Sequence, residues 1–229
     1  MTRALDAIAG GLVVSVQAPP GSPLAAPAHM AAIARAAADG GAAAIRAEGG
    51  ADLQAIRAAV ALPLIGLRKR DLPDTPVRIT PSAADAAALA AAGADLVAVD
   101  ATARPRPGAA DGAALVAAIT RELGPVVLAD VDSVDAGLRA RAAGAIAVAT
   151  TLSGYTAASP AGPGPDLDLV ERLAGALDCP VLAEGRYGTL DQVAAAFAAG
   201  AYAVVVGTAI TDPTALTRRF AAVVPGRPG

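Results

Sequence analysis

The chain has 229 residues, a net charge of −3 and an apolar fraction of 55%, to which aromatic residues contribute only 2%. No basic cluster stands out, which argues against nucleic acid or an anionic membrane surface as a partner. No run approaches the roughly 20 apolar residues of a membrane span, and residues 1–11 lack the basic-then-apolar pattern of a signal peptide, so a cytoplasmic protein is expected. Cys179 and His29 are the lone cysteine and the lone histidine. An intrachain disulfide and a histidine-built metal site are both excluded, and no carboxylate cluster suggests another metal site.

The chain alternates apolar runs with alanine-rich helical stretches. The first strand is expected over 11–17 and ends on Gln17. A Pro- and Gly-rich loop leads to a helix over 27–39, closed by Gly40 and Gly41, on which His29 reads as a partly exposed residue. A second strand, 42–48, precedes a helix from Asp52 to Val60. The third strand, 62–69, ends on Lys69. A long loop, 71–80, follows, and Pro81 is a favoured first residue for the next helix, which runs to Gly93. A strand over 95–101, a loop over 102–108 and a helix to Leu123 come next. The fifth strand, 125–131, is followed by Ser133 as a cap and by a helix ending at Gly144. The sixth strand, 145–151, opens onto the longest loop, 152–165, whose length points to function or to disorder. A helix over 166–177, a strand over 180–186, a helix over 189–199, a strand over 201–209 and a helix over 213–223 complete the pattern, with 224–229 expected to fray.

These are eight strand–helix units of similar length. Each strand is a continuous apolar run, as expected of parallel strands covered on both faces. The pattern predicts a single-domain TIM (β/α)8 barrel over 1–229. An open doubly wound sheet is the alternative, weakened because SVQAPPG, not a Gly-rich dinucleotide fingerprint, follows the first strand.

In a barrel the active site lies where strands end. The strand-end residues are Gln17, Arg46, Lys69, Asp100, Asp130, Thr151, Glu184 and Gly207–Thr208. Polar groups at a buried mouth cost free energy unless paired, so their convergence needs a reason. An ion-pair network among Arg46, Asp100, Asp130 and Glu184 is one. Lys69 asks for another: it is the only lysine in a chain that otherwise uses arginine. A lysine can lose its proton and act as a base or form a Schiff base, which arginine cannot. The neighbouring charges of Arg68 and Arg70 are expected to favour its neutral form. The third and seventh strands lie on opposite sides of the ring, so Lys69 and Glu184 would flank a substrate. Such a pair can take a proton from one face of a carbon acid and return one to the other, provided that Glu184 has a raised pKa and that Arg46 or Gln17 stabilises the enolate oxygen. An anion is expected at the last two strand ends, on Gly185, Gly207 and Thr208.

Taken together, GLVVSVQA, IRAEG, IGLRKRD, AVDATARPRP, LADV, TTLSGYT, AEGR and VVVGTAIT resemble, in order and spacing, the N-acylmannosamine-6-phosphate 2-epimerase family. The resemblance spans nearly the whole barrel. It implies a homodimeric, cofactor-free isomerase that interconverts N-acetylmannosamine 6-phosphate and N-acetylglucosamine 6-phosphate in sialic acid breakdown. It assigns proton transfer to Lys69 and Glu184. Arg46, Asp130 and Gln17 are expected to hold the sugar, with Ser153, Tyr155 and Arg186 from the SGYT and AEGR stretches beside them. The chain departs from the family pattern at Glu48, where asparagine is usual. It departs again at Asp212, in TAITDP, where the family usually carries an arginine near the phosphate. An anionic residue there weakens phosphate binding unless it points away or caps the last helix. The residues alone leave two other readings open: a lyase that forms a Schiff base through Lys69, and a sugar-phosphate-binding barrel without catalysis.

Overall fold

The computed structural model describes residues 2–19, 21–159 and 161–225. Eight parallel strands close in sequence order into one barrel, with β8 pairing back onto β1. They are β1 Leu12–Val16, β2 Ala44–Glu48, β3 Leu64–Leu67, β4 Leu96–Asp100, β5 Val127–Asp130, β6 Ala147–Ala149, β7 Val181–Glu184 and β8 Ala203–Val206. The helices are α1 Arg3–Ala7, α2 Pro27–Asp39, α3 Gly50–Ala59, α4 Ala83–Ala91, α5 Gly112–Leu123, α6 Val134–Ala142, α7 Leu167–Ala176, α8 Leu190–Ala198, α9 Thr208–Thr211 and α10 Pro213–Ala221. This is the expected TIM barrel. Of the tail expected to fray, 226–229 lie outside the described residues.

Side chains alternate across each strand. One set fills the barrel: Val13, Ala44, Ile65, Leu96, Ala98, Leu128, Ala147, Leu182 and Ala203 form an interior cluster. The other set, including Val14, Ile45, Leu64, Val97, Val127 and Val181, packs outward against Met30, Leu53, Ile56, Leu89, Leu115 and Leu173 of the helices. Both faces are therefore apolar, which is why the strands read as unbroken runs. Small residues let helices and strands approach closely. A Cβ on Gly66 would fall 2.8 Å from that of Ala94 and 2.9 Å from Leu53.

Several boundaries differ from expectation, each for a local reason. The short α1 is too brief for helical periodicity to register. It plugs the N-terminal end of the barrel with fully buried Leu5 and Ile8, and its Leu5 carbonyl accepts a hydrogen bond from the Tyr202 hydroxyl at 3.1 Å. The cap of α4 is Ser82, whose hydroxyl accepts from Asp85 N, so the helix starts after Pro81 instead of on it. α3 begins at Gly50, before Asp52. β8 ends at Val206, not at 209, because Thr211 folds back as part of α9 and donates to the Ser15 carbonyl at 2.9 Å. Ser133 caps α6 as expected, and Thr189 makes a reciprocal capping box with Gln192.

Candidate active site

The alternation that fills the barrel also aims the chemistry. Arg46, Asp130 and Glu184 share the inward face of their strands with Ala44, Leu128 and Leu182. Arg46 is 1% exposed. It grips Asp130 with two nitrogens, Nη2 to Oδ2 at 2.7 Å and Nη1 to Oδ1 at 3.1 Å. The same Nη1 stands 2.8 Å from Glu184 Oε2. Burial alone would weaken the guanidinium charge, but Asp130 and Glu184 outweigh it and hold Arg46 firmly protonated. Nε of Arg46 has no hydrogen-bond partner among the described residues. Burial raises the Glu184 pKa to about 7, with Asp130 adding to the rise and Arg46 opposing it. The raised value needed for an acid is therefore present.

Lys69 stands just beyond β3, bridged to Ile79 of the returning loop, and its backbone N–H donates to Glu48 Oε1 at 3.2 Å. Its ammonium makes no salt bridge among the described residues. Lys69 is reachable from the barrel mouth, so solvent screens part of the field around it. Enclosure by the barrel wall still lowers its pKa, Arg46 and Arg78 push the same way, and Glu48 and Glu184 oppose them. The expected agents, Arg68 and Arg70, are on the wrong face. Lys69 points inward, so both neighbours point outward. There Arg70 pairs with Asp85 at 2.6 Å and Arg68 lies against Gly49.

These groups open onto a cavity of about 520 Å³ lined by Gln17, Arg46, Lys69, Glu184, Gly207 and Thr208 among others. A second chamber of about 630 Å³ shares Gln17, Lys69, Arg78, Gly207 and Thr208 with it and adds Glu48, Asp52, Asp71 and Asp212. Gln17 donates to Ser15 Oγ at 2.7 Å, while its amide oxygen is buried with no partner among the described residues. Gly185 takes φ +114°, a conformation that suits glycine, and borders the same cavity.

Two expected contacts are displaced. Asp130 is fully buried beneath Arg46 and does not line the cavity; Arg46 and Thr151 occupy its oxygens. In this arrangement it holds Arg46 in place. Ser153 also turns away, with its hydroxyl 2.5 Å from Asp166 Oδ2. Arg186 and Tyr155 do border the cavity. Arg186 ties the long loop to β7: it donates to the Ser153 and Gly164 carbonyls at 2.5 and 2.7 Å and lies 5.3 Å from the Tyr155 ring centroid. Its guanidinium fills the space where a Cβ on Gly154 would sit, which couples the SGYT and AEGR stretches. Asp212 caps α10, accepting from Ala215 N at 2.9 Å. Asp100 also borders the cavity, but its ion pairs run to Arg104 and Arg106, with Thr102 on the same carboxylate, and not to Arg46.

Sequence reasoning missed Arg78, Arg104 and Tyr187 on the cavity wall. Arg104 follows a strand end by four residues, a spacing that could have flagged it. Arg78 arrives only because its loop folds back on Lys69, which no local pattern announces.

The NanE family description, "Putative N-acetylmannosamine-6-phosphate epimerase", matches residues 30–225. The chain belongs to this family. A Cutibacterium acnes protein named "Putative N-acetylmannosamine-6-phosphate 2-epimerase" is 47% identical over 220 residues, 95% of each chain. A Klebsiella pneumoniae protein of the same name is 54% identical over 202 residues, covering 88% of this chain and 84% of its own. The solved structure of the N-acetylmannosamine-6-phosphate 2-epimerase from Clostridium perfringens superposes with a TM-score of 0.92 at 38% identity, over 97% of each chain. A thiamine phosphate pyrophosphorylase from Pyrococcus furiosus, at 17% identity and a TM-score of 0.60, shares the fold alone. Among the described residues no helix is long and apolar enough to cross a membrane, and no group of three or more His, Cys, Asp or Glu could hold a metal ion.

Proposed function

We propose that this epimerase-family barrel inverts carbon 2 of N-acetylmannosamine 6-phosphate to give N-acetylglucosamine 6-phosphate, without a cofactor, in amino sugar breakdown. One observation carries the mechanism. Lys69 and Glu184 face one cavity from β3 and β7, strands four apart in a ring of eight. Each has a pKa shifted toward the form the chemistry needs: Lys69 lowered, Glu184 raised to about 7.

The sugar ring opens and exposes a carbonyl at carbon 1, which makes the carbon 2 proton acidic. Neutral Lys69 removes that proton. Negative charge moves to the carbonyl oxygen, where the positive charge of Arg46 on the cavity wall stabilises it. Protonated Glu184 returns a proton to the opposite face of carbon 2, and the configuration inverts. Asp130 acts through Arg46. The phosphate is assigned to the N–H groups of Gly185, Gly207 and Thr208, and Gln17, Tyr155 and Arg186 border the sugar.

The assignment is tested by following both sugar phosphates by NMR in the presence of a chelator. Interconversion from either side to one common ratio supports it. Borohydride trapping of a covalent adduct at Lys69 supports the lyase chemistry instead. We also infer a cytoplasmic homodimer from the family resemblance. Light scattering on a sizing column tests the dimer, and fractionation of the source cells tests the location.

A further inference from the structure

Thr151 is the remaining polar group that touches both carboxylates of the site. Its Oγ1 lies 2.7 Å from Asp130 Oδ1 and 3.0 Å from Glu184 Oε2. A threonine hydroxyl has one hydrogen to give, so it serves one carboxylate at a time. Asp130 can release it without being orphaned, because both of its oxygens already accept from Arg46. Among the described residues, the Glu184 carboxylate has only the single Arg46 nitrogen besides. The neighbouring Thr150 fixes the Glu184 backbone: its hydroxyl accepts from Glu184 N at 3.0 Å and donates to Glu184 O at 2.9 Å. The Thr-Thr pair at the end of β6 therefore holds this residue by both main chain and side chain.

We propose that Thr151 is a positioning residue that serves Glu184 in both of its protonation states. While Glu184 carries a proton, the Thr151 hydroxyl donates to Asp130. When Glu184 delivers that proton to carbon 2, the O–H bonding pair stays on the new carboxylate, and the Thr151 hydroxyl rotates to donate to it. Thr151 itself loses no proton. In the reverse direction Glu184 takes the carbon 2 proton and the hydroxyl turns back. The charge that appears on Glu184 thus meets a donor already in place, without a rearrangement of water. The other charged groups facing Glu184 are Arg46 from β2, Lys69 beyond β3 and Asp130 from β5. Arg78, Asp100, Arg104 and Arg186 border the same cavity.

This inference rests on the proton-transfer reading of Glu184, and its test is separable from turnover. The glutamates of the chain are Glu48, Glu122, Glu171 and Glu184. Carbon-13 labelling of their carboxyls allows each to be titrated by NMR without substrate, with Glu184→Gln assigning the signal. Removing the hydroxyl in Thr151→Val removes a donor that favours the ionised form. The Glu184 midpoint is expected to move up by about one pKa unit. Thr151→Ser keeps the donor and is expected to restore the parent value. Thr151→Ala provides a second hydroxyl-free variant should the valine not fold. In rate profiles the limb near pH 7 is expected to move up by the same amount in the hydroxyl-free variants. An unmoved Glu184 midpoint in them, or an equal shift in Thr151→Ser, overturns the proposal. A shifted midpoint in a protein that does not turn over the sugar phosphates leaves the proposal standing and removes the functional reading instead.

Discussion

Arg46 Nη1 stands 2.8 Å from Glu184 Oε2, yet the Glu184 carboxyl keeps a pKa raised to about 7. An arginine this close ordinarily drives a carboxylate toward ionisation. Here Asp130 takes Arg46 with both nitrogens from a position of complete burial, so the single positive charge is already engaged. Burial and the Asp130 charge then prevail at Glu184. One arginine shared between two unequal carboxylates leaves one committed to structure and the other able to carry a proton.

Lys69→Arg is expected to fold with unchanged stability, because the residue is reachable from the mouth and pairs with no carboxylate among the described residues. Turnover is expected to fall by about 10²–10⁴, the usual contribution of a positioned general base. Circular dichroism and a steady-state assay measure the two quantities. An active Lys69→Arg enzyme would remove the base assignment, since arginine stays protonated.

Glu184→Gln separates the two half-reactions. Lys69 remains able to remove the carbon 2 proton of N-acetylmannosamine 6-phosphate and to return solvent deuterium to the same face. The expected result in deuterated water is substrate that gains deuterium at carbon 2 while inversion is lost. The pH–rate profile of the parent should be bell-shaped, because Lys69 must be neutral and Glu184 protonated. One limb is expected near pH 7, and it should vanish in this variant.

The same shift has a sign in stability. The folded state holds the Glu184 proton to higher pH than the unfolded chain does. Between the ordinary glutamate range and about pH 7 the folded state therefore binds more protons, and this group lowers stability as pH rises through that window. Glu184→Gln lacks the effect. Its melting temperature, compared with that of the parent, should improve from pH 5 to pH 8. A constant difference across that range would contradict the raised pKa.

Asp130→Asn breaks the buried pair from one side and leaves Arg46 with a charge shared only with Glu184. Losses of about 3–5 kcal/mol are typical of such a change. Denaturant unfolding measures it. The Glu184 midpoint should also fall, because Arg46 is then free to favour its ionised form and the Asp130 charge is gone.

Asp212→Asn keeps a side chain able to cap α10 and removes the charge that borders the second chamber. Stability is expected to be unchanged, with KM for the sugar phosphate lowered severalfold and kcat little affected, a partly exposed charge contributing about 1 kcal/mol at most. Asp212→Ala should in addition lose about 1 kcal/mol of stability with the cap.

Much of this was legible in the sequence because strand parity is simple. A strand that ends on an inward-pointing residue puts that residue in the mouth, so Gln17, Arg46, Lys69 and Glu184 could be placed from the ends of apolar runs. The same parity, applied one residue further, assigns Arg68 and Arg70 to the outer face, where the structure has them. Depth along the strand was harder to read. Asp130 and Glu184 both end their strands, but Arg46 and Thr151 cover the first and leave the second open. Loop residues were the least legible. Ser153 faces Asp166 and Arg78 reaches the cavity only through the return of its loop onto Lys69, contacts set by tertiary closure alone.

The central claim is proton transfer at carbon 2 between opposed groups, and one spectrum tests it directly. N-acetylmannosamine 6-phosphate is incubated with the protein in deuterated water and the carbon 2 proton is followed by NMR. The account predicts N-acetylglucosamine 6-phosphate carrying deuterium at carbon 2. Product that keeps its original carbon 2 proton throughout, or substrate left untouched, would contradict it.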